Sequence, residues 1–165
     1  MKTIIIDGIE YNLTPKVLFK KGDWVVNSSG DVWHIDSFDS KNYQVSNGDK
    51  YCYFPIEKQN EMHLWTISDA KEGDVVVDKS DGTIGIFQSI GHHPDGGSFN
   101  DPSYCFLHCH YDDGFFYADF ENGNVINSDD LIPATKEQRD LLFQKMKEAG
   151  FEWSDKDRKL IKIVK

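Results

Sequence analysis

A chain of 165 residues, 39% apolar and 13% aromatic, can bury a core without disulfides or a structural metal, which excludes a disordered tail and a stapled miniprotein. Its formal net charge of −10 opposes phosphate backbones, and no run approaches the ~20 apolar residues of a membrane-spanning helix. Cys52, Cys105 and Cys109 cannot all pair within one chain, and Asp7 cuts the opening isoleucine run too early for a secretory leader. A cytoplasmic setting with reduced thiols is expected.

The acidity is localised. Residues 1–68 carry −2, residues 69–132 carry −11 and residues 133–165 carry +3. A solvated surface accounts for such a segment most simply, and a docking face for a basic partner is the sharper alternative.

In chain order, Asp7-Gly8 between apolar runs at 3–6 and 9–13 predicts a tight β-hairpin. Lys20-Lys21-Gly22-Asp23-Trp24-Val25-Val26 and Lys71-Glu72-Gly73-Asp74-Val75-Val76-Val77 then match as an internal echo. In each copy Gly-Asp turns the chain into a β-branched strand. Further strands are expected at 32–38, 42–45 and 50–54 in the first copy, and at 83–90, 104–111 and 115–120 in the second. Short apolar closures follow at 62–67 and 131–132. Residues 91–103 read as a long loop.

Thr135 and Gln138 form a capping-box pattern for a helix over 136–149, with Leu142, Met146 and Ala149 on one face, Phe143 beside them and Gly150 as the stop. A closing hairpin around residues 154–158 is expected to turn Trp153, Ile161 and Ile163 towards that helix. The class is mainly β, α+β overall. Four segments are expected: an N-terminal β-hairpin (1–15), a first small β-barrel module (16–68), a second, acidic one (69–132) and a helix-plus-hairpin module (133–165). The two modules read as tandem SH3-like barrels or half-open β-rolls.

Pro133-Ala134-Thr135-Lys136-Glu137-Gln138-Arg139-Asp140-Leu141-Leu142-Phe143-Gln144-Lys145-Met146-Lys147-Glu148-Ala149-Gly150 resembles the C-terminal module of a group of small proteins from bacteriophages and mobile elements of gut bacteria. Asp7-Gly8-Ile9-Glu10, Gly22-Asp23-Trp24 and Leu64-Trp65-Thr66-Ile67 fit the same modular pattern. The resemblance implies a phage or mobile-element accessory protein acting in a host bacterial cytoplasm and binding a host protein, defence nucleases included. It brings no reaction and no catalytic residues.

Cys105-Phe106-Leu107-His108-Cys109-His110, with His92 and His93 upstream, is the densest ligand chemistry in the chain. On a regular strand Cys105 and Cys109 face one side and His108 and His110 the other, so one metal cannot gather all four. A metal site from His92, His93, His108 and His110, or a small metal-dependent enzyme centred there, is one alternative reading. A structural assembly role is another. Without a nucleophile elbow, phosphate loop or dinucleotide fingerprint, no enzyme and no cofactor are expected.

The aromatic surplus points elsewhere. Trp24, Trp33, Tyr43, Tyr51, Tyr53 and Phe54 crowd the first module and fit a packed core. In the second, alternation buries Phe116 and turns Phe115 and Tyr117 outward, or the reverse. Asp112, Asp113, Phe115, Tyr117, Asp119, Glu121, Asp129 and Asp130 are the candidate binding residues. They suit a basic host protein, one that handles nucleic acid included, with no direct nucleic-acid or membrane contact expected.

Overall fold

The computed structural model describes the backbone of residues 2–6, 9–13, 17–92, 100–118 and 124–164, and the side chains of 17–91, 101–118 and 126–164. The chain divides into two compact units, Met1–Leu64 and Trp65–Lys165. No helix among the described residues is long and apolar enough to cross a membrane. The Asp7-Gly8 turn lies outside the described residues. The flanking strands, β1 (Lys2–Ile6) and β2 (Ile9–Leu13), pair antiparallel with Ile6 opposite Ile9.

In the first unit β3 (Trp24–Asn27), β4 (Val32–Phe38), β5 (Asn42–Asn47) and β6 (Lys50–Pro55) form an antiparallel meander. A 3-10 turn at Ile56–Glu61 then brings β7 (Met62–Leu64) back beside β3, giving the order β6-β5-β4-β3-β7. Val25, Ile35, Tyr43, Val45 and Ile56 fill the core. The buried Tyr43 hydroxyl donates to Gln59 Oε1 at 2.8 Å and accepts from the Leu18 and Phe19 N–H groups, which ties the incoming chain to the 3-10 turn.

The second unit repeats this plan. Its strands are β8 (Val75–Asp78), β9 (Ile84–His92), β10 (Asn100–Asp112), β11 (Phe115–Ala118) and β12 (Asn124–Asn127). A 3-10 turn at Ser128–Asp130 precedes β13 (Leu131–Pro133), which returns to β8 as β7 returns to β3. Both sheets share a meander closed by a short returning strand, with β12 added beside β10 in the second, and the mainly β class holds.

The echo is a repeat of contacts, not only of letters. Gly22 N–H bonds the Ile35 carbonyl at 2.8 Å, and Gly73 N–H bonds the Phe87 carbonyl at 2.9 Å. Asp23 and Asp74 each accept, at 2.8 Å, from the backbone of the lysine three residues earlier, Lys20 and Lys71. Both glycines lie at left-handed φ, 92° and 95°, where a side chain is strained.

The expected loop over 91–103 is shorter than the sequence indicates. Strand pairing extends into it, with Asp101 opposite Gly91 and Asn100 opposite His92. Pro102, which cannot donate to a ladder, falls in the register break between Asp101 and Cys105. Residues 93–99 lie outside the described residues. At the far end β11 covers Phe115–Ala118, and residues 119–120 of the expected strand lie outside the described residues.

The helix α1 (Lys136–Glu148) begins at a complete Thr135–Gln138 capping box, with Ala149 as its C-cap. Gly150 N–H reaches the Lys147 carbonyl at 3.0 Å, one of the two bonds of a Schellman cap. Leu142 and Met146 are buried against Val75, Val77, Ile84 and Ile86, whereas Ala149 is exposed. The closing hairpin, β14 (Phe151–Ser154) and β15 (Lys159–Lys162), corrects one expectation. Leu160, not Ile161 and Ile163, packs with Phe151 and Trp153 on this cluster. The cause is parity. Trp153 sits directly opposite Leu160, and directly opposed residues share a face, so Ile161 turns away.

Candidate functional site

Strand β10 carries both sequence candidates, and a bulge decides their geometry. Leu107 faces Phe87 and Cys109 faces Ile86, so two steps along β10 match one along β9, leaving His108 as the extra residue. The bulge reverses side-chain parity beyond it. Cys105 and Leu107 pack with Val76, Phe87 and Leu131, while Cys109 packs with Val75, Val77, Ile86 and the helix. The expectation that Cys105 and Cys109 share one side of a regular strand is therefore corrected.

Both thiols are fully buried, and desolvation pushes Cys105 up to about 11 and Cys109 to about 12. They stay protonated at neutral pH, which removes them as nucleophiles and as ready thiolate ligands. A maleimide probe is expected to label the half-buried Cys52 in the native protein, and Cys105 and Cys109 only after denaturation. Stoichiometric native labelling at Cys109 would contradict this packing.

The bulged His108 is re-aimed towards Glu72, with Nε2 at 3.0 Å from its Oε1, and its ring lies 4.9 Å from that of Trp153. Arg158, at the end of the β14–β15 turn, donates to the Glu72 carbonyl. Burial holds His108 below its ordinary 6.5, outweighing the opposing pull of Glu72. The unfolded chain thus takes up this proton at a higher pH than the folded one. The stabilisation is complete above 6.5 and is lost as pH falls below it. A thermal melt from pH 7.5 to 5 is expected to fall less steeply for His108→Gln than for the parent, and equal slopes would remove this assignment.

His110 turns to a different partner, stacking on Tyr117 at 4.6 Å and 13°. His92's side chain and all of His93 lie outside the described residues. Among the described residues no group of three or more His, Cys, Asp or Glu side chains is placed to hold a metal ion.

Beyond the bulge, Asp112 pairs with Phe115 across a two-residue turn in which Asp113 and Gly114 take φ of 43° and 87°, as a type I′ hairpin needs. Phe116 turns inward onto Phe151, while Phe115 and Tyr117 stand 65% and 45% exposed. Their rings lie 6.5 Å apart. Cross-strand pairing places His110, Asp112, Phe115 and Tyr117 on one face of the hairpin, with Asp113 at its tip. Asp81, in the β8–β9 turn, is held below the usual carboxylate range chiefly by the Thr83 backbone N–H, from which it accepts at 2.8 Å.

Asp129 and Asp130 belong to the separate 3-10 turn before β13, where the Asp130 carbonyl accepts from Lys79 N–H at 3.0 Å. Asp119 and Glu121 lie outside the described residues. His110, expected only as a metal candidate, is the member of this surface that sequence reasoning did not place there, because its stacking on Tyr117 depends on cross-strand register. In the first unit Tyr43 is core, but Tyr51 and Tyr53 are exposed, 70% and 62%. Alternation with Cys52 and Phe54 along β6 was the available signal. The chain matches no family model, no curated protein and no solved structure.

Proposed function

We propose that the chain is a non-enzymatic binding protein that docks a basic surface of a host protein on the β10–β11 hairpin. The observation that supports this reading most is the exposure of Phe115 and Tyr117 on the same face as Asp112, beside Asp113. Large aromatics are costly to leave in water, and flanking carboxylates favour lysine or arginine on the partner. The resemblance to phage and mobile-element proteins extends the proposal to an accessory protein in a host cytoplasm. In its sharpest form the −11 segment presents carboxylates where a nucleic-acid-handling protein, such as a defence nuclease, expects phosphates.

Affinity capture from bacterial lysate at low and high salt tests it. The expected result is a basic, nucleic-acid-handling partner retained at low salt and released as ionic strength rises. A specific partner whose retention ignores salt would refute electrostatic mimicry, and one retained equally by Phe115→Ser/Tyr117→Ser would refute the hairpin as the docking face.

A further inference from the structure

Strand β6 is the edge of the first sheet, and its exposed aromatic residues are also the ones whose backbone points away from it. In the β5–β6 hairpin Asn47 pairs with Lys50 across the two residues Gly48 and Asp49, which makes 47–50 a hydrogen-bonded pair. The alternation continues through Val45–Cys52 and Tyr43–Phe54 to the Ile56 N–H bond onto the Lys41 carbonyl at 2.8 Å. Tyr51 and Tyr53, opposite Ser46 and Gln44, fall at the intervening positions, so their N–H and C=O groups face outward along the edge. Among the described residues β6 pairs only with β5. Lys50 and Pro55 blunt the ends of the strand, but among the described residues no strand pairs with the outward side of Tyr51-Cys52-Tyr53.

We propose that this edge pairs with the same edge of a second copy of the chain, antiparallel and centred on Cys52. Tyr51-Cys52-Tyr53 is its own complement under a two-fold axis, as an isologous interface requires. With Cys52 opposite its counterpart, each Tyr51 meets the partner's Tyr53, and all four outward N–H and C=O groups of each strand are used. Centring the pair on Tyr53 instead sets Tyr51 against Pro55, which has no N–H, and leaves the Tyr51 carbonyl unmet. Charge agrees with the first register. It sets Lys50 opposite the partner's Phe54 and opposes no like charges across the strand. Six residues per edge bury well under the ~1,200 Å² of a standard stable interface, so the dimer is weak and concentration-dependent.

The register also makes the test. Cys52 becomes a non-hydrogen-bonded antiparallel pair with Cα atoms about 4.5 Å apart, within the range a disulfide spans. Copper-phenanthroline oxidation of the full chain at rising concentration is expected to give a covalent dimer linked through Cys52. Tyr53→Pro removes an outward N–H while sparing every bond to β5, so it should keep the native circular dichroism and lose most of the cross-linking. In sedimentation equilibrium the parent should show a concentration-dependent dimer and Tyr53→Pro a monomer. A parent that stays monomeric to about 1 mM, a dimer linked elsewhere, or a Tyr53→Pro dimer of undiminished yield would each overturn the proposal.

Discussion

Leu142→Ala is expected to cost the second unit about 2–5 kcal/mol, read as a lower urea midpoint with little change in slope. Leu142 is 0% exposed and is held by α1 against Val75, Val77, Ile84 and Ile86. Removing its side chain both returns apolar surface to water and leaves a cavity that the sheet cannot close. A thirteen-residue helix is marginal by itself, so its order depends on this contact. The neighbouring Leu141 is 36% exposed, and Leu141→Ala should change stability by no more than about 0.5 kcal/mol. Equal effects of the two substitutions would show that the helix does not dock on the sheet through this face.

Gly85→Ala is expected to cost about 1–3 kcal/mol, through overpacking and not through backbone strain. Gly85 is absent from the left-handed glycines, but a Cβ there would meet the Leu107 side chain and come within 2.9 Å of the Cys109 carbonyl. A leucine rotamer can yield, whereas a carbonyl fixed in the β9–β10 ladder cannot. The repeat sharpens the point. Gly85 faces Val76, and Trp33 faces Val25 at the equivalent place in the first sheet. Where the first unit fills the position with an indole, the second brings β10 up to the backbone. An unchanged thermal midpoint for Gly85→Ala would place β10 further away.

Features written in local chemistry were legible in the sequence. The Gly-Asp entry to each sheet, the Thr135–Gln138 box and the Asp113-Gly114 turn each depend on a few neighbouring residues, and each appears in the structure. The alternation at Phe115–Tyr117 left two outcomes, and packing of Phe116 on Phe151 selects one.

What stayed hidden depends on register between distant strands. No residue type announces that His108 is an extra residue against β9, yet that one insertion sends Cys105 and Cys109 to opposite faces. The same holds for Leu160. A four-residue connection at 155–158, with Arg158 at φ 50°, sets the parity of β15, and the isoleucines gave no warning of it. The open edge of β6 was equally invisible, because a strand is an edge only once the strand order is known.

The binding reading is tested most directly by titrating the captured partner against the parent and two hairpin variants. Phe115→Ser/Tyr117→Ser removes the exposed rings. Asp112→Asn/Asp113→Asn removes two charges while keeping a residue that tolerates the left-handed turn at 113. Each is expected to weaken binding by at least about tenfold with the fold intact, and the second also to flatten the dependence on salt. Affinity unchanged in both variants would contradict the account and move the binding face away from the β10–β11 hairpin.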